Sequence, residues 1–153
     1  MLKKVLLVLM LLALALLGYV GAERVDTKKL IHTTNEQELD ASFYVAQFHY
    51  IRNAQSKDKL IKHTQNTLAQ LEQAQTVFNQ KTLYTPAAKQ IRNDYNQGVS
   101  TLKDALAALQ ATDKPDINKT KQQIAKAERQ LLNARERLFD LADRQLMTIQ
   151  LKM

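Results

Sequence analysis

Cysteine is absent from the 153 residues, which excludes disulfides, thiolate metal sites and a lipid-modified cysteine anchor. Two prolines and three glycines leave few places where the backbone is obliged to turn. Nowhere do apolar and polar residues alternate as they do in a half-buried strand. There is no glycine-rich phosphate loop, no Gly-x-Ser-x-Gly elbow and no His-Glu-x-x-His. His32, His49 and His63 stand at intervals that no metal site uses, and the carboxylates are scattered, none on an apolar stripe. The sequence therefore predicts no catalytic, cofactor-binding or metal-ligating residues, and a protein that is not an enzyme.

What is present begins with residues 1–22. Lys3 and Lys4 precede an unbroken apolar run from Val5 to Leu17, followed by Gly18 and the small-residue exit Val20-Gly21-Ala22. As a cleavable signal peptide the segment is cut before Glu23. As an uncleaved anchor, Val5–Ala22 supplies 18 residues, the short end of what crosses about 30 Å of hydrocarbon. Its lysines then hold the N-terminus in the cytoplasm. Cleavage is the expectation from the residues alone, and both readings export the same domain to the periplasm or cell surface.

The net charge is +7, and removing Lys3 and Lys4 leaves 20 basic residues against 15 acidic ones. So mild an excess suits a solvated surface or a membrane surface. Aromatics make up 6% and do not interleave with the basic residues, which argues against a nucleic-acid partner.

Residues 23–34 are charged, lack a clear period and read as a stem: a flexible spacer, or the frayed continuation of an anchor helix. Two overlapping capping boxes, Thr33 with Glu36 and Thr34 with Gln37, predict that the bundle, residues 35–153, starts with a helix there. Its apolar face is Leu39, Phe43, Ala46 and Tyr50, widened by Tyr44, Phe48 and Ile51. A break is expected at 53–59, with Asn53 left-handed, Ser56 as the next cap and Asp58 in its first turn. Leu60, Ile61, Thr64, Leu68, Leu71 and Phe78 continue the pattern to residue 80. Thr85-Pro86 opens another helix, whose stripe is Ile91, Tyr95, Gly98, Leu102, Ala105 and Leu109. The last helix, 115–151, carries Ile117, Thr120, Ile124, Ala127, Leu131, Ala134, Leu138, Leu141, Gln145 and Thr148. The fold class is all-α: an antiparallel bundle of three to four amphipathic helices after an N-terminal signal or anchor segment.

This layout resembles in outline the sensor domains of bacterial chemoreceptors and the small helical periplasmic chaperones, but it carries no motif of either. Two functions remain. One is a non-enzymatic interaction or structural module of the bacterial cell envelope, binding protein through helix faces. The other is a small-ligand-binding bundle signalling through a partner, with a cavity of several hundred Å³ beside Phe43, Phe48 and Tyr95. A final helix reaching 151 overshoots its neighbours by about ten residues at 1.5 Å each. It leaves Leu138, Phe139, Leu141, Ala142, Leu146, Ile149 and Met153 for a partner, a second copy or the membrane surface to cover.

Overall fold

The structure, a computed structural model, describes residues 2–145 and 147, with side chains from residue 7 onward. Five helices account for it: α1 (Leu2–Glu36), α2 (Ala41–Arg52), α3 (Lys57–Gln80), α4 (Pro86–Gln110) and α5 (Ile117–Arg144). Among the described residues there is no strand. The sequence predicts three to four helices in the bundle. The difference arises because the supposed stem is itself helical, and it joins the bundle as the second half of α1.

The capping boxes at Thr33–Gln37 do not start a helix; they lie where one ends. Glu38 is left-handed at φ 53. The Leu39 amide donates to Thr34 O at 3.0 Å and the Glu38 amide to Asn35 O at 3.3 Å. This is a Schellman closure. Leu39, the residue after the closure, is 1% exposed and pins the turn into the core. Asp40 then caps α2, its Oδ1 accepting from the Phe43 amide at 2.7 Å. That hydrogen bond, followed by the one from Ser42, holds the Asp40 carboxyl below its ordinary range. Its stabilisation of α2 is therefore present at neutral pH and lost as pH falls through that lowered value. A non-glycine residue in the left-handed region costs about 1 kcal/mol. Glu38→Gly is accordingly expected to raise stability by roughly that amount in chemical denaturation. No gain would mean that the turn is not closed this way.

α2 turns back into α3 across residues 53–56, inside the expected break. Ser56 caps α3, accepting from the Lys59 amide, and Asp58 lies in the first turn. Asn53 is not left-handed, however: at φ −88 and ψ 2 it ends α2 with its amide donating to His49 O. Successive pairs run in opposite directions along α3. Lys29 reaches Thr82, Gln47 meets Thr67, and Tyr50 stacks on His63. The second half of α1 and all of α2 thus follow one another along a single α3. The buried face of α2 is Tyr44, Phe48 and Ile51, while Ala46 and Tyr50 are exposed. Leu39 lies in the turn before α2 and not on the helix, and the stripe that packs inward is the one expected only to widen the face.

α4 and α5 bury most of the predicted residues, with Ile117 and Gln145 half-buried. Ile91, Tyr95, Gly98, Leu102, Ala105 and Leu109 face Thr120, Ile124, Ala127, Leu131, Ala134 and Leu138. Buried threonines of α3 and α5 are satisfied by carbonyls four residues earlier: Thr64 Oγ1 donates to Leu60 O and Thr120 Oγ1 to Asp116 O. That is why threonine can hold a core position in a helix. α5 ends at Arg144, not 151. Leu138, Leu141 and Ala142 are fully or almost fully buried, so this part of the face expected to overhang is covered within the chain. α4 and α1 both pack against this end of α5: Leu138 and Leu141 lie beside Ile91, and the Glu23 carboxylate of α1 accepts from Gln145 Nε2. Leu146, Thr148, Ile149 and Met153 lie outside the described residues.

Candidate functional site

Two regions stand out chemically: the aromatic cluster of α2 and the junction where α1 enters the bundle. In the first, Tyr44 and Phe48 are buried, Phe43 is half-buried and Tyr50 lies outside, stacked on His63 at 5.7 Å. Tyr95 from α4 packs on Phe78 and donates its hydroxyl to Leu71 O at 3.0 Å. Burial raises the phenols of Tyr44 and Tyr95 well above their usual value. Both are therefore neutral packing groups at physiological pH, not acids or bases. The cavity between Leu39, Tyr44, Phe78, Ile91 and Tyr95 holds about 20 Å³, room for one water molecule.

A larger hollow of about 450 Å³ lies elsewhere, open to solvent beneath the α2–α3 turn. Its cations already have partners. Arg52 pairs with Glu128, Lys121 donates to the Arg52 and Ala54 carbonyls, and Lys57 to Thr112 O. The three histidines form no common site: His32 faces Glu36, while His49, which meets Asn53, and His63 both lie against the Tyr50 ring. Among the described residues no group of His, Asp and Glu side chains is arranged to hold a metal.

The junction is where the sequence reading missed a residue. Asp26 is 0% exposed. Its Oδ2 accepts three hydrogen bonds, from the Tyr84 and Thr85 amides at 2.7 Å each and from Thr85 Oγ1 at 3.0 Å. Thr85 occupies the cap position of α4, as predicted, but its hydroxyl donates to Asp26 and caps nothing itself. A carboxylate delivered by α1 thus holds the two backbone amides that lead into α4, near the positive end of its dipole. Asp26 Oδ1 is buried without a hydrogen bond, and Lys29 Nζ stands 4.0 Å away as its counter-charge. Lys29 also donates to Thr82 O at 2.7 Å and lies 4.5 Å over the Tyr84 ring. One turn of α1 therefore grips the whole α3–α4 turn. Leu30, Thr33 and Thr34 continue the buried face beyond it.

On the other side of this junction α1 changes character without a break. Every residue from 7 to 21 is exposed, although the stretch is apolar. α1 is long and apolar enough to cross a membrane, with a mean hydropathy of 1.8 over an 18-residue window within 7–36. Gly18 and Gly21 have nothing within 4 Å of an added Cβ, so neither is required by packing within the chain. The buried clamp and the exposed apolar run are thus successive parts of a single helix. Comparison with protein-family models, with characterised proteins and with solved structures finds no match to this chain.

Proposed function

We propose that the protein is a non-enzymatic interaction module of the bacterial cell envelope, exported and held at the membrane by α1 as an uncleaved signal anchor. The observation that carries this reading is the continuity of α1 from its exposed apolar run into the Asp26 clamp. A cut before Glu23 needs extended backbone, whereas here residues 18–24 are helical and Glu23 is engaged by Gln145. A helix buried at one end and apolar at the other is suited to holding a folded body at a fixed height above a bilayer.

Partner protein is the reading for the bundle's outer side. Outside the apolar run of α1, the large apolar side chains exposed among the described residues are Val25, Val45, Tyr50 and Tyr84. Val45 and Tyr50 share the outward side of α2, with Ala46 and His49 between them, and form the proposed protein-contact face. A bundle that binds a small ligand finds less support, because the cavity beside Tyr95 accommodates only one water.

Intact-mass measurement on protein recovered from envelopes of the native host, with protease added to spheroplasts, tests the anchor. The expected result is a chain that retains Met1–Ala22 and a bundle open to protease from outside. A chain beginning at Glu23 overturns the anchor, and a bundle protected until lysis overturns the orientation.

A further inference from the structure

Four features converge on the end of the bundle from which the apolar part of α1 emerges. Ala22 closes the apolar run, and Asp26, gripping the α3–α4 turn, follows four residues later, about 6 Å along the axis. The headgroup layer outside each face of the hydrocarbon is roughly 5–8 Å deep. Val25 and Tyr84, at this level, are 46% and 60% exposed. Tyrosine favours this layer, where its ring is half in hydrocarbon and its hydroxyl in water.

Cations surround these two residues. Arg24 and Lys28 on α1 are exposed, Lys29 lies against the Tyr84 ring, and Arg144 is exposed beside Gln145, which touches Glu23. The acidic groups near this level are Glu23, held by Gln145; Asp26, buried under Lys29; and Asp140 and Asp143, both exposed, Asp140 lining one hollow with Arg144. Long basic side chains one turn above the hydrocarbon can lie back toward the phosphates.

We infer that this end of the bundle is a docking surface for anionic phospholipid headgroups, with Val25 and Tyr84 seated among them and Arg24, Lys28, Lys29 and Arg144 contacting phosphate. The inference rests on α1 being retained in the membrane. The Asp26 clamp leaves no hinge between the inserted helix and this face, so docking follows from insertion and the cations draw the face inward. Each such cation contributes roughly a fivefold preference for an anionic surface.

The chain has no tryptophan, so Tyr84→Trp and Gln55→Trp each introduce a single reporter. Gln55 is at the far end of α3, about 36 Å away. Both full-length variants are reconstituted in vesicles of phosphatidylcholine, alone or mixed with phosphatidylglycerol, and quenched with acrylamide. The expected result is several-fold less quenching of the indole at position 84 than of the one at position 55, with the protection greater in the anionic vesicles. Adding Arg24→Glu, Lys28→Glu and Arg144→Glu should abolish the dependence on lipid charge while helical circular dichroism is unchanged. A chain that fails to float with neutral vesicles overturns the retained helix and the docking with it. A chain that floats but leaves the Tyr84→Trp reporter as open to acrylamide as the Gln55→Trp reporter overturns the docking alone. Equal protection of the Tyr84→Trp reporter in neutral and anionic vesicles overturns the choice of anionic headgroups.

Discussion

Replacing Asp26 with alanine is expected to lower the stability of the folded chain by about 3–5 kcal/mol, the range seen when one partner of a buried charged network is removed. The carboxylate is fully buried and accepts from two amides and one hydroxyl of the α3–α4 turn. Without it those donors lie inside with no acceptor, each worth about 1–3 kcal/mol if nothing moves. Movement of the turn toward water recovers part of that, which keeps the total below the sum. Lys29, its counter-charge gone, keeps only the Thr82 carbonyl and the Tyr84 ring. Asp26→Asn retains an acceptor oxygen and should lose less. Asp58→Ala, an exposed first-turn carboxylate of α3, should lose only a few tenths of a kcal/mol. Urea unfolding in detergent, followed by helical circular dichroism, gives all three values. A loss at Asp26 no greater than at Asp58 would remove the clamp from the structure's energetics.

The second large effect is expected at Gly98. A Cβ built there lies 2.7 Å from Leu131 Cγ, 2.9 Å from Leu131 Cδ2 and 3.2 Å from the Leu131 backbone nitrogen. Two of those atoms belong to a side chain that is 0% exposed, and the third to backbone, so neither can yield cheaply. Alanine would gain about 1 kcal/mol of helix propensity. Against it stands overpacking, which costs roughly 1–3 kcal/mol, so Gly98→Ala should be net destabilising and Gly98→Leu should cost about 3 kcal/mol or more. Shortening the opposing side chain separates the two contributions. In a Leu131→Ala background most of the conflict is gone, and Gly98→Ala should become neutral or stabilising. Additive effects of the two substitutions would show that α4 and α5 do not approach through this glycine.

α4 and α5 were legible in the sequence because their seams combine large apolar residues with glycine, alanine and threonine at regular steps of three and four. Thr85-Pro86 marked the start of α4 and Ser56 that of α3 for equally local reasons. The join between α1 and α2 was not legible. Its left-handed residue is Glu38, where glycine or asparagine is the usual sign, and Thr33 and Thr34 imitate caps while lying in a last turn. The buried face of residues 26–34 was hidden because it is made of Asp26, Thr27, Leu30, Thr33 and Thr34. Only the helical spacing of those threonines, whose hydroxyls bond back to carbonyls four residues earlier, distinguishes this face from a polar stem. Asp26 itself had no local signal, since its donors are 58 and 59 residues away. The expected overhang of α5 came from carrying that helix to 151; it ends at Arg144, and residues 23–36, left out of the bundle, join α4 in packing against it.

The continuity of α1 from apolar segment to clamp is tested most directly by a distance along it. The chain contains no cysteine, so Leu14→Cys and His32→Cys provide the only two thiols for spin labels. Leu14 is 55% exposed and the His32 side chain 67% exposed, so both accept a label without repacking. Eighteen residues of uninterrupted helix separate them by about 27 Å. In lipid nanodiscs a single narrow distribution near that distance is expected, unchanged when the lipid is exchanged for detergent. A broad or shortened distribution, as a hinge at Gly18 or Gly21 would produce, contradicts it.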